Sequence, residues 1–140
     1  MQRTLKSILV FIICFSWIFL LASCGEGINR DEADIFIENF LEAVAAKDYD
    51  NAEQFLHPER PADLESFFVN IEMNEGVDFG EGIEIKKRTA FSSSYYDSTV
   101  GGSRYQPTLS VKIGENTAEM IIEIVKNEKG YGIYNLDINT

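Results

Sequence analysis

The chain is predicted to be an α+β protein, in which N-terminal helices pack on a four-stranded antiparallel sheet. Two observations lead to this fold class. Apolar residues recur at helical spacing up to residue 71, whereas from residue 83 onward they alternate with polar residues. Gly- and Asn-containing turn segments separate the last three alternating runs, as they do in β-hairpins.

The first 23 residues are predicted to be a signal peptide rather than part of this fold. Arg3 and Lys6 precede a largely apolar run over residues 8–22. As a helix, this run spans roughly 22 Å, which is shorter than the ~30 Å hydrocarbon core of a bilayer. A secretory segment that is removed fits this length better than a permanent membrane span does. An uncleaved anchor remains the alternative.

The apolar run ends in Leu21-Ala22-Ser23-Cys24, a branched apolar residue and two small residues before a cysteine. This segment resembles the lipobox of bacterial lipoproteins. The resemblance implies that signal peptidase cuts between Ser23 and Cys24, and that the Cys24 thiol carries diacylglycerol with palmitate-type acyl chains. It also implies attachment to the cell membrane or outer membrane, with the domain outside the cytoplasm. An ordinary signal peptide that is cut nearby remains open.

The mature chain is predicted to have a tether at residues 24–30 and a single α+β domain at residues 31–140. Fully extended, the tether reaches only roughly 20 Å, so the domain should lie close to the lipid surface. Two or three acyl chains hold such a protein stably, whereas one chain alone is marginal. Because Cys24 is the only cysteine left after cleavage, the mature chain has no disulfide.

Three helices are predicted before residue 74. Residues 31–47 form the longest, residues 50–57 form a short one capped by Asp50, and a third begins near Pro61. Residues 74–82 are predicted to be a loop because they are rich in glycine and acidic residues. The apolar faces of the first and third helices are Ile37, Phe40, Leu41 and Val44, and Leu64, Phe67, Phe68 and Ile71, respectively.

Four strands are predicted after Gly82, joined as a meander. Turns are expected at residues 114–116 and 127–130. The residues expected on the inner face are Ile83 and Ile85, then Leu109, Val111 and Ile113, then Met120, Ile122 and Ile124, and finally Tyr134, Leu136 and Ile138.

This order of elements resembles the cystatin-like and nuclear-transport-factor-2-like domains, including small bacterial lipoproteins of that plan. The residues that carry the resemblance are the apolar helix at 35–44, the turn and helix start at 47–52, and the meander at 108–138. The resemblance implies a curved sheet with the long helix in its concave face. The sequence departs from the transport-factor plan because no strand is predicted between the second and third helices.

Charge is unevenly distributed along the chain, which has a formal net charge of -11. Residues 24–82 contain 16 acidic and three basic residues, whereas residues 83–140 contain seven of each. This balance argues against a nucleic-acid-binding function, which needs clustered basic residues. The acidic half is either a solvated helical surface, a surface held away from anionic lipid, or one offered to a basic partner.

Residues 91–106 are predicted to be a long loop and form the candidate contact surface. Their Ser, Gly and Tyr content is typical of adaptable binding loops, although a plain solvated hairpin loop has the same composition. A ligand-pocket wall formed by Tyr95, Asp97 and Arg104 is a further possibility. The candidate contact residues are Tyr95, Tyr96, Asp97, Arg104 and Tyr105.

The outer face of the sheet is the second candidate surface. If Met120, Ile122 and Ile124 face the helix, then Ile121 and Val125 face outward, and Tyr131 and Ile133 are expected beside them. Such an apolar face is either a half-covered sheet or the interface of a homodimer.

Catalytic chemistry has few candidates in the sequence. His57, the only histidine, is expected at a helix C-terminus, where the helix dipole favours it, or alternatively acts as a general base. A zinc site is not expected from one histidine and no free cysteine, and no phosphate-binding loop or nucleophile motif is present. No cofactor is therefore predicted, and enzymatic activity is left open.

The sequence is compatible with two functions. The first is a non-enzymatic, lipid-anchored envelope protein that binds another envelope protein through residues 91–106 or the outer sheet face. The alternative is a small-molecule-binding or enzymatic domain, with a pocket between the first helix and the sheet and His57 or Asp97 as the base. The apolar character of the predicted inward positions favours the first.

Replacement of Cys24 by alanine tests the lipid anchor. Cys24→Ala is expected to abolish incorporation of a labelled fatty acid and to release the protein from the membrane fraction, because the thiol is the acylated nucleophile. Metabolic labelling and fractionation of the producing cells measure both effects. A Cys24→Ala protein that stays firmly in the membrane fraction would contradict the prediction.

Overall fold

The computed structural model describes residues 27–140, so the predicted signal peptide, Leu21, Ala22, Ser23 and Cys24 lie outside the described residues. Within that range the protein is α+β, with three α-helices and a four-stranded antiparallel sheet, as predicted. The strands follow one another across the sheet in the order β1-β2-β3-β4. The elements are α1 (Arg30–Ala45), α2 (Tyr49–Glu53), α3 (Leu64–Glu75), a 3₁₀ turn (Phe79–Glu81), β1 (Ile83–Asp97), β2 (Gly102–Ile113), β3 (Asn116–Asn127) and β4 (Gly130–Asn139).

Helix α1 provides the main apolar layer over the sheet. The Asn29 side chain caps its N-terminus by accepting hydrogen bonds from the amides of Asp31 and Glu32. Its buried face combines with the inward residues of β2, β3 and β4 in one core. That face contains Ala33, Ile37, Phe40, Leu41, Ala43 and Val44.

Helix α2 is shorter than predicted and ends at Glu53 rather than His57. Its N-cap is Asp48, which accepts from the Asn51 amide, rather than Asp50. The chain leaves the helix because its next residues bond to the edge of β4: the Ile133 amide donates to Phe55 O, and the His57 amide donates to Ile133 O, both at 2.8 Å. A backbone contact with a distant strand thus overrides the local helical pattern.

Helix α3 begins later than predicted. Asp63 is its N-cap, accepting from the Ser66 amide at 2.9 Å, so Pro61 precedes the helix instead of lying in its first turn. Gly76 ends the helix in the left-handed region at φ 69°, a conformation that glycine adopts without a Cβ clash. The predicted loop at residues 74–82 therefore contains the last turn of α3 and a 3₁₀ turn.

The predicted loop at residues 91–106 is instead part of a β-hairpin, whose register shifts between Ser94 and Asp97. Strand β1 extends to Asp97, a turn follows, and β2 starts at Gly102. The register is unbroken from Ala90, opposite Thr108, to Ser94, opposite Arg104. The Ser- and Gly-rich composition led to the wrong prediction of a loop, because β1 is an edge strand that is exposed along most of its length. Serine and glycine at such exposed strand positions do not enter the core.

A bulge in β4 changes which residues of that strand face the core, compared with the prediction. Glu123 pairs with Asn135 but the next residue, Ile124, pairs with Ile133, so Tyr134 is an extra residue. The extra residue reverses the alternation, placing Ile133 in the core and the Tyr131 ring 5.0 Å from Phe36 of α1. Both were predicted to face outward with Ile121 and Val125, so the apolar outer face is smaller than expected.

An ion-pair cluster joins the end of α1 to α3 and the 3₁₀ turn. Lys47 Nζ lies 3.0 Å from Glu72 Oε1 and 3.0 Å from Asp78 Oδ1, and Glu72 also accepts from the Phe79 amide at 2.9 Å. Lys47 is a non-glycine residue at φ 55°, where the helix end is closed by backbone bonds from the Lys47 amide to Val44 O and from the Asp48 amide to Ala43 O. The Lys47 ammonium group holds the pKa of Asp78 below its usual value of 3.8, and the two carboxylates raise the pKa of Lys47.

Lys47→Met tests this cluster through the pH dependence of stability. Because the folded pKa of Asp78 is lowered, its contribution is fully present above pH 3.8 and is lost as the pH falls through the lower folded pKa. The variant should therefore unfold at lower urea concentration than the parent at pH 7, with a difference that shrinks in acid. Lys129→Met is the control, since Lys129 forms no ion pair within residues 27–140. A deficit independent of pH would contradict the assignment.

Candidate functional site

The predicted contact residues divide between the surface and the core. Tyr95 and Tyr96, near the end of β1, are 69% and 66% exposed. Tyr105 is fully buried, and its hydroxyl donates a hydrogen bond to Asp34 Oδ1 at 3.0 Å. Tyr105 is therefore part of the contact between α1 and the sheet, where Arg88 also pairs with Asp34, and it is not available to a partner.

Asp97 and Arg104 form a small charge network on the outer side of the hairpin. Arg104 Nη1 lies 3.1 Å from Asp97 Oδ2. Arg104 Nε lies 2.8 Å from Glu123 Oε1, but this contact is an ion pair without the alignment of a hydrogen bond. The Thr99 hydroxyl and amide, followed by Arg104, lower the pKa of Asp97. A carboxylate stabilised in this way is a weak proton acceptor, which argues against Asp97 as a general base.

His57 lies beside the edge of β4 rather than at a helix end, and it is fully buried. Its Nδ1 is 3.2 Å from the Glu59 amide, which donates to it. Nε2 then carries the proton and lies 3.1 Å from Asn127 Oδ1 and 3.2 Å from Gly130 O. Both ring nitrogens are satisfied within the fold, so the geometry assigns His57 a structural role.

Asn127 connects His57 to both turns at this end of the sheet. Its Oδ1 also accepts from the amides of Lys129 and Gly130, at 2.8 and 3.2 Å. Its Nδ2 donates to Glu59 Oε2 and Val100 O, each at 2.8 Å. One side chain therefore joins the β1–β2 turn, the β3–β4 turn and the segment after α2. An Asn before Glu-Lys-Gly is a typical turn signal, but its long-range partners are not readable from the sequence.

The interface between α1 and the sheet, where a ligand pocket was the alternative, is filled by side chains. Phe40 and Val44 of α1 are fully buried, as are Met120, Ile122 and Ile124 of β3. They belong to one continuous core cluster. Polar groups that could bind a substrate are therefore not presented in the centre of this interface.

An open groove lies instead between the start of α3 and the edge of β4. It has a volume of about 270 Å³. Its floor and walls are largely apolar, while the Arg60 guanidinium lies 4.4 Å from the centre of the Tyr134 ring at one side. The residues around it are Leu56, Arg60, Pro61, Ala62, Leu64, Phe67, Ile133, Tyr134, Asn135 and Leu136.

The groove adjoins a strand edge that is capable of further pairing. Strand β4 is the last strand of the sheet, and Leu56 forms a single parallel bridge with it at Ile133. Gly132 makes this approach possible, because a Cβ at that position would lie 2.6 Å from the His57 amide nitrogen. Beyond Ile133 no strand pairs with the outer edge of β4 in the described part of the chain. This groove is not predicted from the sequence, because Leu64 and Phe67 also fit a helix face and Leu136 also fits an inward strand position.

A metal site and a membrane-spanning helix are two further possibilities for residues 27–140. No group of three His, Cys, Asp or Glu side chains there is arranged to hold a metal ion. None of the helices in this range has the length and apolar character needed to cross a membrane.

No model of a known protein family matches the chain, and no curated protein or solved structure is significantly similar to it.

Asn127→Ala tests the network around His57. The change removes the acceptor of three hydrogen bonds and the donor of two, and it leaves the buried His57 without one partner. A loss of about 2–3 kcal/mol in the free energy of unfolding is expected from unpaired buried polar groups. Urea unfolding measures the loss. Asn70→Ala, at an exposed position of α3, is the control and should change stability by less than about 0.5 kcal/mol. Equal effects of the two changes would contradict the structural role.

Proposed function

We propose that this protein is a lipid-anchored protein of the bacterial cell envelope that binds an extended segment of another envelope protein. The lipobox-like segment ending in Cys24 supports the anchor. Binding is proposed at the groove between α3 and β4. The observation that carries the binding proposal is an apolar groove of about 270 Å³ alongside a free strand edge.

The edge of β4 supports strand addition as the mode of binding. A free edge presents unpaired amide and carbonyl groups that an extended peptide can satisfy. The segment after α2 already uses this edge, through the two 2.8 Å hydrogen bonds between Ile133 and residues 55 and 57. A partner strand would continue that pairing along β4 from Tyr134 towards Asn139.

The groove supports selection of a partner by an apolar side chain. Peptides bound by strand addition gain affinity from main-chain hydrogen bonds and specificity from pockets for alternate side chains. Leu64, Phe67 and Leu136 provide such a pocket, since they line the groove next to the strand edge. Arg60, at the side of the groove, would favour an acidic residue or a terminal carboxylate in the partner.

A cystatin-like or nuclear-transport-factor-2-like assignment belongs to the same proposal. A long helix packed on a four-stranded meander supports it. Residues 54–63 contain no strand between α2 and α3, which is the departure from the transport-factor plan. An enzymatic function has less support, because His57 is internally bonded and Asp97 is paired with Arg104.

Site-specific photo-crosslinking in the native host tests the groove. A photoreactive phenylalanine derivative is placed at Phe67, and the same group at Met73 of α3 is the control, because Met73 is 74% exposed and does not line the groove. We expect one protein to be cross-linked at Phe67 and not at Met73. Leu136→Lys should abolish the product, because it places a charge in the apolar groove.

The cross-linked segment then provides a direct binding test. A synthetic peptide of that segment should bind the purified protein and slow hydrogen exchange of the backbone amides of residues 134–139, as strand addition requires. Urea unfolding of the Leu136→Lys protein separates lost binding from lost folding. The proposal fails if Phe67 and Met73 give the same products, or if the peptide binds without protecting β4.

A further inference from the structure

We propose that the end of β1 containing Tyr95 and Tyr96 rests in the headgroup region of the lipid bilayer and sets the orientation of the domain on the membrane. The inference rests on the proposed lipid anchor at Cys24. It assigns the two exposed tyrosines to a lipid surface rather than to a protein partner.

The topology places the tyrosines at the same end of the domain as the start of the described chain. In the antiparallel meander, the β1–β2 turn and the β3–β4 turn lie at one end of the sheet. Helix α1 begins at this end, since Arg30 lies 4.9 Å from the centre of the Phe91 ring and Asp34 bonds to Tyr105. A lipid attached upstream of α1 therefore holds this end towards the membrane.

The distance from the anchor is short. A Cβ placed on Gly27 would lie 3.2 Å from Cδ2 of Tyr95, so the chain at Gly27 lies directly against the tyrosine ring. Only three residue steps separate Gly27 from Cys24, and fully extended they span roughly 10 Å. A Cys24 whose acyl chains are inserted in the bilayer therefore keeps Tyr95 within reach of the headgroups.

The chemistry of this end suits a membrane interface. Tyrosine is enriched at membrane–water boundaries because its ring is apolar and its hydroxyl can remain hydrated. Residues 91–102 carry a single charged residue, Asp97, and Arg104 pairs with it. In a chain of net charge -11, residues 91–102 therefore bring only one carboxylate towards anionic headgroups.

Hydrogen bonds within the hairpin hold the backbone carbonyls of both tyrosines before any contact with lipid. The Ser103 hydroxyl donates to Tyr95 O and the Ser94 hydroxyl donates to Tyr96 O, each at 2.8 Å. Asn127 fixes the following turn through its bond to Val100 O. Little backbone entropy is therefore lost when the hairpin meets a surface, which favours a contact made by only two side chains.

Tryptophan fluorescence provides the test, because Trp17 is the only tryptophan of the chain and is removed with the predicted signal peptide. Tyr95→Trp, Tyr96→Trp and, as control, Met73→Trp are purified from bacterial membranes as acylated full-length mature proteins. Each is reconstituted into phosphatidylcholine–phosphatidylglycerol vesicles with or without brominated acyl chains. We expect brominated lipid to quench Y95W and Y96W at least about twofold more than M73W, whose exposed site is on α3.

The outcomes separate the inference from the anchor on which it rests. Equal quenching of all three variants, in proteins that float with the vesicles and carry acyl chains by mass spectrometry, overturns the inference and leaves the anchor intact. Proteins that neither float nor carry acyl chains overturn both. If the tryptophan of Y96W is shielded from solvent in native membranes but not in pure lipid vesicles, the tyrosines contact a protein partner. That result also overturns the inference.

Discussion

One face of the sheet is buried beneath α1, and the other elements are arranged around this contact. Phe40 and Val44 of the helix and Met120 and Ile122 of β3 are fully removed from solvent. Each such side chain contributes on the order of 1.5–3 kcal/mol relative to exposure, so this layer dominates the stability of a small fold. Apart from the Tyr105 hydroxyl, which donates to Asp34, this layer is apolar and offers few polar groups to a substrate.

The two ends of the sheet differ in their hydrogen bonding, and its two edge strands differ in how they are covered. Towards the start of α1, Asn127 joins His57 and both hairpin turns into one hydrogen-bonded unit, at the end of the sheet that also contains Tyr95 and Tyr96. On the β4 side, the segment after α2 covers the strand only at Ile133 and leaves the neighbouring groove open. On the β1 side, register shifts near Lys86 and Thr89 interrupt the strand, and basic residues accompany them. Bulges and charges are features by which proteins protect an edge from pairing.

These differences favour β4 over β1 as the edge for a partner. They also separate the two proposed contacts in space, because the groove lies between α3 and β4 whereas the tyrosines are on the opposite edge strand. A membrane-anchored domain with a short tether needs such a separation, since a binding groove facing the lipid would be blocked.

The sequence predicts the elements that depend on periodicity and misses those that depend on distant contacts. The apolar spacing of Ile37, Phe40 and Val44 and the alternation in β3 give α1 and the meander correctly. The end of α2 is missed because its cause is Ile133, some 80 residues later in the chain. The Tyr134 bulge is missed because an extra residue changes the register without changing the composition.

The candidate site shows the same division. Tyr95 and Tyr96 are identified as surface residues, but Tyr105, ten residues after Tyr95 and similar in local composition, is in the core because β2 is an interior strand. The α3–β4 groove has no sequence signature, since each of its apolar residues also fits an ordinary core position. Its existence follows only from how far α3 lies from the strand edge.

A native mass spectrum of the protein, purified from its host in mild detergent, tests both the lipid anchor and the protein-binding function. We expect a chain that begins at Cys24, carries acyl groups, and is found in complex with a second polypeptide that dissociates on denaturation. A chain that retains residues 1–23 without acyl groups would contradict the anchor. An added mass of a few hundred daltons, lost on denaturation, in place of a polypeptide would indicate a bound small molecule and contradict the protein-binding function.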